Sequence, residues 1–267
     1  MQNKIRLIFL LSVLFLLSSI TPAQDDEEDD LISAARPTVS ESATVQKAGV
    51  LQLEYGGDFD FDAPDYRQRH AGPLGVYFAV NDRLRLDFEL DTFVWQKDHM
   101  GMHQSGVGDL NLGFKAIARD KPKERLAVAV AYSIKLPTAS EEKELGTGKV
   151  DHTLRLILNR TYEKNDLVFN VSYLNVGREM SDKRDSGAQV SFLYERELPK
   201  NFGMIVETFG NTVDEDQPRG IYMLGALTYK VNKRLRFDAG VRPGFGRDAP
   251  ALGVVAGFSV GIGKGFK

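Results

Sequence analysis

The sequence predicts an all-β protein, specifically a transmembrane antiparallel up-and-down β-barrel of about twelve strands. Three observations predict this fold. The chain begins with an export signal, apolar and polar residues alternate with a period of two from Gly49 onward, and the connections alternate between short and long. Each observation is justified below in the order of the chain.

The composition excludes several other classes of protein. The chain has 267 residues, of which 42% are hydrophobic and 10% aromatic, and its mean hydropathy is -0.26. A polytopic helical membrane protein would have a clearly positive mean hydropathy, and a disordered polymer would have fewer aromatic residues. The absence of cysteine excludes disulfides and thiolate sites, and the net charge of -3 gives no indication of a nucleic-acid partner.

Residues 1–23 have the pattern of a cleaved secretory signal peptide. Lys4 and Arg6 precede an apolar run over residues 7–17, and small residues follow up to Ala23. The alternative is an uncleaved membrane anchor, but the apolar run is too short to cross a bilayer as a helix. The predicted location of the mature protein is the outer membrane of a Gram-negative cell.

Residues 24–48 are predicted to form an acidic, disordered tail in the periplasm. Six consecutive carboxylates follow Gln24, and such a run repels itself and cannot enter a core. A calcium-binding loop would need spaced ligands and a fixed glycine, which this run lacks.

Residues 49–267 are predicted to form the barrel. In the segment 83–91 every even position is apolar and every odd position is charged, which separates the two classes onto opposite faces of a strand. The same pattern, in stronger or weaker form, predicts twelve strands, and most of them have the length of a tilted membrane-spanning strand. They are expected at about residues 50–58, 72–80, 83–91, 109–115, 126–136, 153–159, 166–176, 187–196, 202–210, 219–230, 234–242 and 251–263.

The connections predict which end of the barrel is which. Those after the even-numbered strands are short and contain Asn, Asp or Pro, at 81–82, 120–124, 163–165, 199–201 and 232–233. Those after the odd-numbered strands are mostly longer, at about 59–70, 96–105, 137–150, 177–186, 211–218 and 245–250. Tight periplasmic turns and looser outer loops are typical of outer-membrane barrels. An even strand number then places both chain ends in the periplasm.

The charged face of each strand is predicted to line the lumen, and the apolar face to contact lipid. Aromatic residues near the short turns, at Tyr162, Tyr194, Phe202 and Tyr229, are typical of an interfacial girdle. A secreted soluble barrel or sandwich is the alternative. The predicted lumen-lining residues are Glu54, Arg85, Asp87, Glu89, Asp91, Asp109, Asn111, Lys115, Arg155, Glu207, Arg236, Asp238 and Arg242.

The sequence gives little indication of catalysis, of a cofactor or of a metal. The segment 146–149 is a fragment of a phosphate-binding loop without its full spacing or context. His99 and His103 lie four residues apart but have no third ligand nearby. His152 is expected near a loop end at the membrane interface, without an adjacent serine that could serve as a nucleophile.

Two segments resemble a known family. The segment 105–115, Ser-Gly-Val-Gly-Asp-Leu-Asn-Leu-Gly-Phe-Lys, resembles the glycine-rich strand entry of outer-membrane transporters named for the MetA pathway of phenol degradation. The segment 134–138 together with 146–151 is similar to a second signature of that family, although Ala139 replaces its usual glycine. The resemblance covers residues 49–267, and it implies a barrel that transports small compounds, aromatic ones among them.

Two functions are considered. The first is a passive channel for small, weakly polar or aromatic molecules, whose partners are outer-membrane lipid, the barrel-assembly machinery and the permeant. The second is a lipid-modifying outer-membrane enzyme, which the absence of a nucleophile–base pair makes the weaker candidate. A structural barrel whose lumen is plugged is a third alternative. A barrel of twelve strands is intermediate in size between small barrels that side chains fill and large barrels with an open channel.

Overall fold

The computed structural model shows one closed antiparallel β-barrel. It describes residues 30–119, 126–178, 182–214 and 217–264. The signal segment, the acidic run up to residue 29 and the short connection at 120–124 lie outside the described residues. Within the described part, no helix is long and apolar enough to cross a bilayer.

The wall consists of twelve strands, two of which are interrupted and so consist of two segments each. One short 3-10 helix, Glu141–Lys143, lies in the connection at 137–150. The segments are β1 (Leu51–Phe61), β2 (Gln68–Asn81), β3 (Leu84–Lys97), β4 (His103–Gly106), β5 (Leu110–Arg119), β6 (Ala127–Leu136), β7 (Asp151–Tyr162), β8 (Asn165–Gly177), β9 (Arg184–Glu197), β10 (Phe202–Asn211), β11 (Gly220–Asn232), β12 (Leu235–Arg242), β13 (Gly244–Phe245) and β14 (Leu252–Ile262).

Each strand pairs with its neighbours in the chain, and β1 pairs with β14 to close the sheet. Closure leaves no strand edge, which a sheet in lipid requires because unpaired backbone groups there cost several kcal/mol each. The predicted all-β barrel of twelve strands is therefore confirmed. The interruption between β4 and β5, at residues 107–109, lies inside the first family signature.

Alternation along each strand sorts side chains between lipid and lumen. On β3, Leu86 is 49% exposed on the outer surface, whereas its neighbour Arg85 is 1% exposed and points inward. Exposed apolar side chains on the other strands include Leu154, Leu227 and Phe237. A soluble barrel would have the opposite arrangement, so the apolar outer surface is that of a membrane barrel.

The turns at one end of the barrel are tight, as their residue types predict. Only Asp82 and Arg83 separate β2 from β3, and the Asn81 side chain accepts a hydrogen bond from the Arg83 amide at 2.8 Å. At the same end, the rings of Phe202 and Tyr229 lie 4.9 Å apart on adjacent strands, within the expected aromatic girdle.

The tail differs from the sequence prediction. Residues 24–48 were expected to be disordered in the periplasm, but the part that the structure describes, from Asp30 onward, is ordered inside the barrel. The reason is composition: the carboxylate run ends at Asp30, and the following residues carry small polar and apolar side chains that find partners in the lumen. We call residues 31–47 the inner loop.

Leu86 provides a test of the membrane-facing surface. We expect Leu86→Arg to impair insertion and folding, because it places a cation on the lipid-facing surface; such a cation costs about 2–4 kcal/mol at the bilayer midplane and about 0–1 kcal/mol near the interface, and Leu86, the third residue of β3, lies toward the interface. Heat-modifiable gel mobility of the outer-membrane fraction measures the folded population. Leu86→Ala, which removes the leucine without adding charge, should fold nearly normally. Normal insertion of Leu86→Arg would contradict the assignment of the two faces.

Candidate functional site: a lumen closed by an inner loop

The inner loop enters and leaves the barrel at the end that carries the short turns. The Leu31 amide donates to the Lys233 carbonyl in the turn between β11 and β12, at 3.1 Å. The Lys47 amide then donates to the Leu31 carbonyl at 3.2 Å, which brings the two ends of the loop together. Between them, Ala43 is buried in an apolar cluster of lumen-facing side chains, with Val45 packed against it.

Two buried glutamates, on strands four positions apart around the barrel, bind the backbone of the inner loop. Glu54 on β1 accepts hydrogen bonds from the amides of Ala35 and Arg36, at 2.9 and 3.1 Å. Glu207 on β10 accepts from the amides of Val39 and Ser40, at 3.1 and 2.6 Å. Each carboxylate thereby accepts hydrogen bonds from two backbone amides of the loop. In a sheet or a helix, backbone carbonyls would accept these bonds.

Glu41 is the most highly coordinated side chain of the loop. Its carboxylate lies 2.7 Å from Arg85 on β3, 3.2 Å from Lys115 on β5 and 2.9 Å from Arg155 on β7. Burial opposes its ionisation, but the charges of Lys115, Arg85 and Arg155 outweigh burial and hold the pKa of Glu41 well below its usual range. Three strands are thus tied to one carboxylate near the middle of the lumen.

A second ionic contact fixes the tip of the loop to β12. The Arg36 guanidinium lies 3.3 Å from the Asp238 carboxylate. Arg236 donates to the carbonyl oxygens of Ala34 and Arg36, at 3.1 and 2.6 Å, and pairs with Glu195 at 3.1 Å.

A cavity of about 980 Å³ lies between the inner loop and the outer loops. Residues of the inner loop, Ala35 to Val39 and Glu41, form its floor. Tyr66, Leu145 and Gln217 line it from three different outer connections. We call this cavity the vestibule. It is large enough for a small organic molecule.

The two family signatures meet at one wall of the vestibule. Lys135 on β6 pairs with Asp109, at 3.5 Å, and with Asp151 at the start of β7. Asp109 also accepts a hydrogen bond from the Ala139 amide, at 2.9 Å, and Thr138 donates to the Gly108 carbonyl at 3.0 Å. The outer connection at 137–150 is therefore folded inward and anchored on the interruption between β4 and β5.

Glycines allow this close approach. A Cβ at Gly108 would lie 2.6 Å from the Asp91 Cβ, and one at Gly146 would lie 2.8 Å from the Asp109 carboxylate. The segment 146–149, which has the sequence of a phosphate-loop fragment, is part of this packed connection and lies between strands, without a helix after it. The glycines of both signatures thus serve the packing of one loop against one wall.

The structure places the other predicted lumen residues in contact with neighbouring wall residues. Asp87 pairs with Arg85 at 2.6 Å, and Asp91 with Arg69 at 3.2 Å. Glu89 accepts a hydrogen bond from the Tyr77 hydroxyl at 2.8 Å.

Two more of the predicted residues lie on the wall of the vestibule. Arg242 lies within 3.0 Å of both Asp58 and Asp60, and Asn111 lines the vestibule as well. Sequence reasoning missed Arg69, because the irregular pairing near Pro73 shifts the strand register and so hides which face of β2 Arg69 occupies. It also missed the whole inner loop.

Among the residues that the structure describes, no three side chains are grouped so that they could hold a metal ion, and the histidines contact neighbouring residues. His99 bonds the Ala63 carbonyl at 2.7 Å, and the His103 ring is stacked on Trp95 with centroids 6.3 Å apart. His152 bonds the Tyr132 hydroxyl at 2.7 Å. The nearest serine in its outward-facing row is Ser186, which lies beyond Asn175 and thus two strands away, roughly 10 Å.

Acid provides a test of the Glu41 contact. Because its pKa is lowered on folding, the contact contributes fully above the ordinary value of 4.5 and is lost as the pH falls through the lowered pKa. We expect the Glu41 contact to hold from neutral pH to about pH 5 and to be lost only in stronger acid, so the conductance of planar bilayers that contain the barrel should rise most strongly there. Glu41→Gln, which removes this contact at every pH, should conduct already at neutral pH. A Glu41→Gln barrel that stays closed at neutral pH would contradict this assignment.

Lys135 provides a separate test of the outer connection. Lys135→Met leaves the carboxylates of Asp109 and Asp151 without their cation, so we expect a loss of about 3–5 kcal/mol and release of the connection at 137–150. Limited proteolysis of the folded barrel measures the release. Lys149→Met is the matched control, because Lys149 is more exposed and lies 4.0 Å from its carboxylate partner. Equal protease resistance of the two variants would refute the anchoring role.

Comparisons with known proteins agree with the fold. The crystal structure of the COG4313 outer membrane channel from Pseudomonas putida F1 matches with a TM-score of 0.64 and 13% identity, over 86% of this chain and 100% of that one. Outer membrane phospholipase A from Escherichia coli (TM-score 0.46, 13% identity, 83% and 95%) is more distant. The CymD monoaromatic hydrocarbon channel matches at a TM-score of 0.45 and 10% identity, over 83% and 89%. No curated protein sequence matches the chain.

The family model described as "Putative MetA-pathway of phenol degradation" matches residues 34–261. The match begins within the inner loop, earlier than the boundary at residue 49 that the resemblance had suggested, so the family domain includes most of this loop. It ends on the last strand, one residue before β14 ends. The chain therefore belongs to the family of outer-membrane barrels named for the MetA pathway of phenol degradation.

Proposed function

We propose that this barrel is an outer-membrane channel for passive uptake of small, weakly polar or aromatic molecules. The observation that carries the proposal is the vestibule, a cavity of about 980 Å³ between the outer loops and the inner loop. A lumen filled along its whole length by its own side chains would have no such cavity. Membership of a family named for phenol degradation is consistent with this permeant class.

The charges of the vestibule suit solutes without a strong net charge. Arg69, Lys135 and Arg242 each pair with carboxylates of the wall, so their positive charges are already neutralised. Strong ion selectivity usually needs a ring of one sign, and a wall of mixed sign does not provide one.

The inner loop is the gate of the proposed channel. It forms the floor of the vestibule and bonds Arg85 on β3 and Glu207 on β10, which lie on opposite sides of the barrel. Its tip, residues 35–41, is held by hydrogen bonds and ion pairs, whereas the returning arm, residues 42–47, is anchored by Ala43 in the apolar cluster. Displacement of the polar tip alone would open the floor while the returning arm stays in place.

The outer-membrane lipid and the barrel-assembly machinery are the proposed partners of the wall. Of the two functions, we favour a channel over a lipid-modifying enzyme. The support for the latter choice is the position of His152, whose outward-facing row places Asn175 between it and Ser186.

A disulfide across the gate tests this proposal. The hydroxyl oxygens of Ser40 and Ser191 lie 2.7 Å apart, and the natural chain contains no cysteine. Ser40→Cys combined with Ser191→Cys should therefore fix the loop tip to β9. We expect the oxidised double variant to abolish uptake of labelled phenol by cells, and a reductant to restore it.

The two single cysteine variants are the matched controls, and a sugar of similar size tests selectivity. Equal phenol uptake by cells with and without the protein would refute the channel. Phenol uptake that depends on the protein but is unaffected by the disulfide would refute only the gate.

A further inference from the structure

The cations around Glu41 form a binding site that the wall builds and the inner loop fills. Arg85, Lys115 and Arg155 come from three different strands, and each reaches the Glu41 carboxylate within 3.2 Å. Arg85 and Lys115 are each 1% exposed. The wall alone thus places three positive groups around the position of one carboxylate.

The charges of the wall do not balance without Glu41. Arg85 has a second carboxylate partner in Asp87. Lys115 has the Ser42 carbonyl, and Arg155 has neutral oxygens on Ser172, Gln189 and Val39. Among the described residues, Glu41 is the only carboxylate that pairs with Lys115 or Arg155. Since an uncompensated buried charge is strongly destabilising, an anion at this position stabilises the folded barrel.

The site adjoins the vestibule, although Arg85 and Lys115 do not line that cavity, so a solute reaches them only where the Glu41 side chain is absent or displaced. Glu41 and Arg155 both line that cavity, and Glu41 belongs to the loop rather than to the wall. The described lining of the vestibule, wall and inner loop together, carries ten carboxylates and five basic side chains, so it repels an anion more strongly the greater its charge, and a monoanion enters at the smallest cost. A small solute with one carboxylate is the anion that best suits this position.

We propose that Arg85, Lys115 and Arg155 form a carboxylate-binding site, that Glu41 is its resident internal ligand, and that small monocarboxylates bind there when Glu41 is absent or displaced. The ligand class is a small organic acid, for which benzoate is the probe. The site lies at the floor of the vestibule, and the proposal requires only that the barrel be folded, whether or not neutral solutes pass through it.

An internal ligand on a short loop has an effective concentration on the order of millimolar. A free carboxylate must exceed this concentration to compete with Glu41, so we expect little binding to the wild-type protein at low millimolar benzoate. Removal of the Glu41 side chain removes the competitor, and the empty site should then accept benzoate directly.

Chemical rescue of Glu41→Ala tests the site. We expect the purified Glu41→Ala barrel to unfold at a lower temperature than the wild type. Benzoate should restore part of the loss with saturation, whereas benzamide, which has the same shape without the charge, should not. Sodium chloride at equal ionic strength controls for screening, and unfolding is followed by heat-modifiable gel mobility.

Lys115→Met in the Glu41→Ala background supplies the matched variant. Removal of one excess charge should recover stability without benzoate and abolish the benzoate response, and it keeps the test valid if Glu41→Ala alone folds poorly. Equal effects of benzoate and benzamide, or a benzoate response that persists without Lys115, would overturn the proposal. Neither result depends on whether the barrel conducts phenol.

Discussion

The structure depends on one constraint: in lipid, every backbone donor and acceptor must be paired within the protein. A closed sheet meets this constraint, and closure turns the alternating pattern of each strand into an apolar outer surface and a charged interior. The charged interior then needs partners of its own. Part of them come from the wall, as in the pairing of Arg242 with Asp58 and Asp60. The inner loop supplies the rest.

The inner loop serves stability and closure through the same contacts. Glu54 and Glu207 bind its backbone amides, and Glu41 neutralises cations that would otherwise be buried without partners. The proposed gate is strongly held at neutral pH, because each of these contacts that stabilises the barrel also keeps the loop in the lumen. Opening must therefore replace these contacts, with water, with a proton on Glu41 or with another anion.

The family signatures have a structural explanation. Asp109, Lys135 and Asp151 come from three successive strands and meet as one ionic group that anchors the inward-folded connection. Gly108 and Gly146 are required where that connection contacts the wall, since a Cβ at either position would overlap a neighbouring side chain. The signatures thus shape the vestibule, and no residue of theirs needs to react with a solute.

The sequence by itself determined the strands, the membrane fold and the sorting of Leu86 and Arg85 to opposite faces, because these features follow from period-two alternation and local turn chemistry. Tertiary structure alone decided the position of residues 31–47. Their small polar side chains have no periodicity and read as a disordered tail, and they become ordered because Glu54, Glu207 and Arg85 from distant strands converge on them. Such contacts between residues more than a hundred positions apart, as between Glu41 and Arg155, leave no local pattern in the sequence.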